Sequence, residues 1–263
     1  MKLHQLRNAT MIIESGDHHI LVDPMLGVRK SMGSYTSKRH PPKRNPLVSL
    51  PANADALLEK VTHGLITHSQ KWGIESLRHG DHLDGPGEAF LRERKTPVIT
   101  GAKDAPHLRK KMGINVVDAL LPWTPRPFLG GQITAVPATH GRGWVRHLMA
   151  NGVGFHIELP DEPSLYISGD TVFSTDVQRA FTELRPDFAV MAAGSASLDF
   201  GGPILMPMDE LVAFTRAAPG QVIANHLEAL NHCPTTRAGL REELEKHGLS
   251  ALIPEDGETL EFN

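Results

Sequence analysis

Cysteine is almost absent from this chain: Cys233 is the only one in 263 residues, so no disulfide can close within it. That fits a reducing cytoplasm, and a cytoplasmic location is the expectation. Long apolar runs are missing too. No stretch approaches the roughly 20 apolar residues that span a bilayer, and the opening MKLHQLRNAT lacks the apolar core of a secretory signal. A membrane protein is therefore not expected. Positive charge is not in excess either: 27 Lys and Arg against 30 Asp and Glu leave a net −3, with no general attraction to nucleic acid. What remains, 40% hydrophobic and 22% charged residues, is ordinary for a soluble globular enzyme.

One segment departs from the overall charge. Residues 29–45, RKSMGSYTSKRHPPKRN, carry Arg29, Lys30, Lys38, Arg39, Lys43 and Arg44 beside Gly, Ser and Pro. Most such runs are solvated loops. The alternative is a flap that steers an anionic substrate to a site.

The chain opens with two short β-rich runs, Thr10–Glu14 and His19–Asp23, joined by Ser15-Gly16-Asp17, which reads as a hairpin ending in Asp23-Pro24. Helices are expected at Ala54–Lys60, Glu88–Arg94 and Ala105–Lys111, with strands at Gly64–Thr67 and Pro97–Thr100. Three strands follow without helices between them, Gln132–Pro137, Val153–Leu159 and Leu165–Ser168. Alternation then resumes with helix Thr175–Leu184, strand Phe188–Ala192, helix Met208–Ala217, strand Gln221–Ala224, helix Thr236–Lys246 and strand Leu249–Ile253. Meanders mixed with strand–helix units, and no evident linker, predict one α/β domain over residues 1–263, with packed sheets covered by helices.

The chemistry concentrates in LITHSQKWGIESLRHGDHLDGPG, residues 65–87, which holds His68, His79, Asp81 and His82. His140 in PATHG, Asp170 in YISGD and His226 in VIANH each follow an apolar run, where a strand would end. Imidazole and carboxylate are ligands that borderline divalent ions accept. Seven candidates, five of them His, are too many for one tetrahedral ion and suit two ions sharing a carboxylate. Two ions about 3.5–4 Å apart can hold a hydroxide and polarise a carbonyl or phosphoryl oxygen.

The run THS…HGDHLDGPG, followed by ATHG, SGD and NH, resembles the metallo-β-lactamase-fold hydrolases, whose signature is His-x-His-x-Asp-His. The opening ATMIIESGDHHILVDPML resembles their first hairpin, and the ending ANHLEALNHCPTTR is similar to the branch containing ascorbate-6-phosphate lactonase. The resemblance implies a four-layer αβ/βα sandwich with metals at one edge of the sheets. It implies that His68, His79 and His140 hold one ion and that Asp81, His82 and His226 hold a second, with Asp170 bridging. The implied cofactors are two divalent ions, zinc first and manganese or iron as alternatives, and the implied partner is a small-molecule substrate. Family members often assemble, so a homo-oligomer is an open expectation. The usual activity is hydrolysis of lactones, thioesters, β-lactams or phosphodiesters. A small anionic lactone, ester or phosphodiester fits the basic segment best.

The chain departs from the signature at one place. Leu77 stands where the first His belongs, and His68 lies eleven residues ahead of His79, as if QKWGIESLR were inserted after Ser69. The strand-end context GLITH assigns His68 as the ligand and residues 70–78 as an excursion. If the excursion pulled His68 away, a metal-stabilised binding or regulatory protein would be the alternative. Iron-dependent redox chemistry on the same fold is another. A tRNA-processing nuclease is disfavoured by the net negative charge.

Several residues carry two readings. Asp170 is a metal ligand or a helix N-cap. Asp81 is both ligand and catalytic, orienting the nucleophile. His232 is catalytic, as a substrate contact or proton donor, or simply bonds the backbone of its turn. Asp23 is read as support that positions a ligand. His18, His19, His63, His107, His147 and His156 receive no role. Tyr35, Lys71, Trp72, Arg142 and Arg237 are pocket-lining candidates or ordinary surface.

Overall fold

Strands with apolar residues on both faces need cover on both sides, and that requirement builds the molecule. The computed structural model describes residues 1–70, 78–150 and 152–262. A seven-stranded sheet runs in the order β13 (Thr259–Glu261), β1 (Lys2–Arg7), β2 (Thr10–Ser15), β3 (His18–Val22), β4 (His63–Ile66), β5 (Val98–Gly101), β6 (Val116–Leu120). A six-stranded sheet runs β12 (Gln221–Asn225), β11 (Phe188–Ala192), β10 (Leu165–Ile167), β9 (Val153–Glu158), β8 (Gly131–Pro137), β7 (Arg126–Phe128). Strands β3 to β6 are parallel, as are β10 to β12, and the β2–β3 hairpin sets Ile13 opposite Ile20.

The period-2 alternation of side chains sorts each strand between two cores. Ile20 and Val22 of β3 meet Phe155, Ile157 and Ile167 between the sheets. Leu21 points outward to α1 (Ala54–Leu58). On the far side of the first sheet α2 (Gly85–Glu93) and α3 (Ala105–Lys110) pack through Leu91 and Leu108. Tyr166, Ala189 and Met191 face α4 (Thr175–Arg179), α5 (Met208–Ala217) and α6 (Arg237–Lys246). The result is the expected four-layer αβ/βα sandwich. Among the described residues no helix is long and apolar enough to cross a membrane.

Some elements differ from expectation. The helix expected over Thr175–Leu184 divides, with α4 passing into a π-helical turn at Ala180–Leu184. Leu249–Ile253 is no strand: only Leu252 bridges, to Ile223, and Pro254 then denies the ladder its next donor. The chain crosses instead to the other sheet, where β13 pairs with β1 through Leu260 and Leu3. Strands β1, β6, β7 and β13 escaped the sequence reading.

The two sheets are stitched at the edge where strands β3, β4, β8, β10 and β12 end. Val153 N donates to Thr67 O at 3.0 Å across the gap, and Ala138 N to Gly152 O at 3.1 Å extends the β8–β9 pairing up to it. Gly152 is required by this approach, since a Cβ there would stand 2.3 Å from Thr67 O and 2.6 Å from the His68 Cβ. Gly152→Ala is expected to destabilise the fold by about 1–3 kcal/mol, the usual cost of overpacking. A thermal melt should show a lower Tm; an unchanged Tm would mean the sheets part there without strain.

Candidate metal centre

Each candidate ligand leaves the end of a strand at that stitched edge or lies in the turn before α2. Asp23, just past β3, binds the end of β4: Thr67 N donates to its Oδ1 at 2.8 Å and Thr67 Oγ1 to its Oδ2 at 2.7 Å. The same Oδ2 accepts from His82 Nδ1 at 2.8 Å. That bond turns His82 so that its Nε2 faces inward, the support role read for Asp23. Asp84 caps α2 by accepting from Gly87 N at 2.8 Å, and also accepts from Leu26 N and Gly27 N, which seats the turn against the chain after β3.

The excursion does not part His68 from His79. His79 N donates to Ser69 O at 2.8 Å across its base, and Asp104 holds Ser69 Oγ and Gln70 Nε2 at 2.8 and 3.1 Å. His68 Nε2 and His79 Nδ1 are consequently 3.1 Å apart. Lys71 and Trp72, and most of the excursion itself, lie outside the described residues.

Two groups of ligand atoms result, His68, His79 and His140 in one, Asp81, His82, Asp170 and His226 in the other, each within 4.8 Å of one another. Asp170 faces both. Its Oδ1 is 3.1 Å from His82 Nε2 and 3.6 Å from His226 Nε2, while its Oδ2 is 3.4 Å from His140 Nε2 and 4.0 Å from His68 Nε2. The helix-cap reading of Asp170 fails, because Ser174 caps α4. His140 is fixed by its Nδ1, which donates to Ile204 O at 2.8 Å. His226 takes a left-handed φ of 61° at the end of β12, with its N donating to Asn8 O at 3.0 Å. Asn8 Nδ2 in turn donates to Asp81 O at 3.0 Å, so one buried asparagine, through its backbone carbonyl and its side-chain amide, brackets candidate ligands on two elements.

The donor set fits divalent ions. His82 Nε2, His226 Nε2 and Asp170 Oδ1 are all buried, and none makes a hydrogen bond, although the carboxylate oxygen is close to both nitrogens. Three converging buried atoms without partners would be costly, and nitrogen and carboxylate oxygen are what zinc, manganese or iron bind. Burial, with neighbouring rings, holds His68 well below the ordinary imidazole value and His79 at about 3. Burial also lowers His140, so these rings offer lone pairs at neutral pH. For His82 burial opposes charge, but the carboxylates of Asp170 and Asp23 overcome it and raise its pKa.

His232 is buried in the turn after β12, with its ring 4.6 Å from the Tyr35 ring, and burial lowers it to about 4. It is neutral at pH 7 and suited to donating an N–H hydrogen bond rather than a whole proton. Tyr35, a pocket candidate, packs beside Met32 on the 79–82 turn: a Cβ at Gly80 would lie 3.6 Å from its hydroxyl. Arg142 and Arg237 are taken up by ion pairs with Glu210, and with Glu228 and Asp256. Sequence reasoning missed Asn8, Thr67 and Asn231, since a lone Asn or Thr carries no signal until its partners are known. His18, His19, His63, His107, His147 and His156 stand outside both ligand groups.

The two sheets and the His and Asp side chains gathered at their strand ends together define a metal-dependent hydrolase of the metallo-β-lactamase fold. The chain belongs to the beta-lactamase superfamily domain family, whose model matches residues 18–227, and within it to the UPF0173 metal-dependent hydrolases. UPF0173 protein YddR of Bacillus subtilis is 30% identical over 100% of both chains. Isothiocyanate hydrolase from Delia radicum gut bacteria is 30% identical, with a TM-score of 0.86 over 100% of this chain and 99% of that one. A possible metal-dependent hydrolase from Veillonella parvula is 25% identical, with a TM-score of 0.86 over 99% and 98%.

Asp23→Asn leaves His82 and Thr67 with a weaker, neutral partner. Metal affinity is expected to fall about 10–100-fold, as for other residues that orient a ligand, and a competition titration with a chromogenic chelator would measure it. An affinity equal to wild type would remove Asp23 from the site.

Acid should also act on the metal-free protein. Folded His79 and His232 titrate at about 3 and about 4, against 6.5 for a free imidazole. Between these values the unfolded chain binds protons that the folded rings refuse, so stability rises with pH across the window. His82, with its raised pKa, has the opposite sign and loses its contribution only as pH climbs through its folded value. The expected result is a Tm that falls from pH 6.5 towards pH 4. A flat profile would contradict the burial of neutral rings.

Proposed function

We propose that the chain hydrolyses a small molecule at an electrophilic carbon, a lactone or ester in the first instance, with a phosphodiester as the variant at phosphorus. His68, His79 and His140 would hold one divalent ion and Asp81, His82 and His226 another, with Asp170, which faces both groups, available to either. The observation that carries this reading is the convergence of His82 Nε2, His226 Nε2 and Asp170 Oδ1, buried together without hydrogen bonds. Zinc suits this set best, with manganese or iron as alternatives. Bound ions supply Lewis acidity and bring the pKa of water to about 7.

The chain's own groups do the rest. Asp81 accepts a hydrogen bond from the attacking water and orients it. His232, neutral, donates its N–H to the oxygen of the substrate. The ending ANHLEALNHCPTTR, which provides His226 and His232, supports the lactonase-like reading. A second reading, hydrolysis of an isothiocyanate carbon, is supported by the 30% identity to an isothiocyanate hydrolase along the whole chain. It is also supported by the rim following His140. There Trp144 and Phe200, with parallel rings 6.4 Å apart, are 56% and 62% exposed, a surface suited to an uncharged organic group. The reaction works on a small molecule in either case.

Metal stoichiometry and a substrate panel test this together. Native protein is expected to carry two ions, and His68→Ala about one fewer. With lactones, esters, phosphodiesters and isothiocyanates offered, one class should turn over, and Asp170→Ala should lower kcat about a thousandfold. Turnover that survives both Asp170→Ala and chelation would overturn the proposal, as would equal metal content in His68→Ala and wild type.

A further inference from the structure

Residues 29–47 form a ribbon whose basic side chains take no part in the metal centre. Met32 and Asn45 exchange backbone hydrogen bonds of 2.7 and 3.0 Å, and Lys30 N donates to Pro46 O at 2.9 Å. The fully buried Arg7 anchors both legs, donating to Met25 O and Gly27 O on one side and to Val48 O on the other. The far leg is fastened to the ligand-bearing turn, with Leu47 N donating to Ala229 O at 2.8 Å and Asn231 N to Asn45 Oδ1 at 2.9 Å. A loop so held fixes the backbone from which its exposed side chains project.

Those side chains are of one sign. Arg29, Lys30, Lys43 and Arg44 line a single groove of about 510 Å³ with Leu47, and no acidic residue lines it. The volume is that of a small-molecule site. Like charges facing one another across a ribbon destabilise it. Among the described residues no carboxylate pairs with any of the four. The acids joined to this segment are committed to backbone amides, Asp84 to Leu26 and Gly27, Asp199 to Ser37, Lys38 and Arg39. The guanidinium groups are also aimed. Arg29 Nε donates to Leu47 O at 2.7 Å, which leaves its two Nη groups for a ligand, while Arg44 donates from Nε to Lys30 O at 2.8 Å and from Nη2 to Ser31 O at 3.2 Å, which leaves its Nη1 edge.

We propose that this groove is a second ligand site, distinct from the metal centre, for a small phosphorylated anion. The open end of the Arg29 guanidinium and the Nη1 edge of Arg44 match the oxygens of a phosphoryl group, and two lysines add point charges. The site stands whatever bond the metal centre hydrolyses.

Inorganic phosphate is the probe, titrated calorimetrically at low salt into metal-loaded wild type, chelator-stripped wild type, Asp170→Ala, and the double variant Lys30→Gln with Lys43→Gln. The double variant spares the arginine-to-backbone bonds. Without phosphate its Tm should equal or exceed that of wild type, since repulsion is relieved. Phosphate binding should weaken about tenfold or more in the lysine variant. It should persist in the stripped protein and in Asp170→Ala, and decline with added salt. Binding kept by the lysine variant and lost on stripping would place the anion on the metals and overturn the proposal. Absence of binding to wild type at millimolar phosphate would overturn it as well.

Discussion

The Asp23 carboxylate is the joint on which the site depends. It sits at the end of β3, takes Thr67 N and Oγ1 from the end of β4, and holds His82 Nδ1 from the turn before α2. A single buried group thereby sets where His68 begins and which way His82 faces. Burying a carboxylate this completely is costly unless every oxygen is used, and here each oxygen has a donor. Because its partners come from different elements, the arrangement can form only when the strand ends are already in register.

The same logic explains how an interrupted signature still yields a compact centre. The eleven-residue step between His68 and His79 closes at its base, through the bond from His79 N to Ser69 O and through Asp104, so His68 and His79 meet despite the inserted length. Loop closure costs little more for a few added residues. Two strong anchors offset it. The second sheet then brings His140, Asp170 and His226 against the first, and the close approach at Gly152 sets the gap across which they meet.

The surroundings of the centre divide by chemistry. Toward the aromatic pair Trp144 and Phe200 the rim is apolar and exposed. The 29–47 ribbon carries a separate groove lined by Arg29, Lys30, Lys43 and Arg44. Asn231, in the turn that follows β12, fastens the ribbon to that turn by bonds with Tyr35, Asn45 and Thr36 through its amide and backbone. The candidate centre and the basic ribbon thus share one turn, the one that follows β12.

Local patterning was enough to place the candidate ligands at strand ends: apolar runs closed by His68, His140, Asp170 and His226 have the period and length of buried strands. The two-sheet sandwich was legible for the same reason, with the resemblance supplying its layer order. What the sequence could not decide were relations between distant segments. The edge strands β1, β6, β7 and β13 owe their conformation to partners, as Leu3 and Leu260 show by pairing from opposite ends of the chain. Leu249–Ile253 has a strand's composition and finds a single bridge, because the sheet edge beyond β12 is left at Pro254. Whether His68 would still reach His79 depended on a backbone bond from Ser69, and the roles of Asn8, Thr67 and Asn231 depended on which polar atoms burial left needing a partner. Sequence by itself determined which side chains can bind metal. Tertiary structure decided that their atoms meet, since a hydrogen bond or a shared ion requires positions that only packed sheets define.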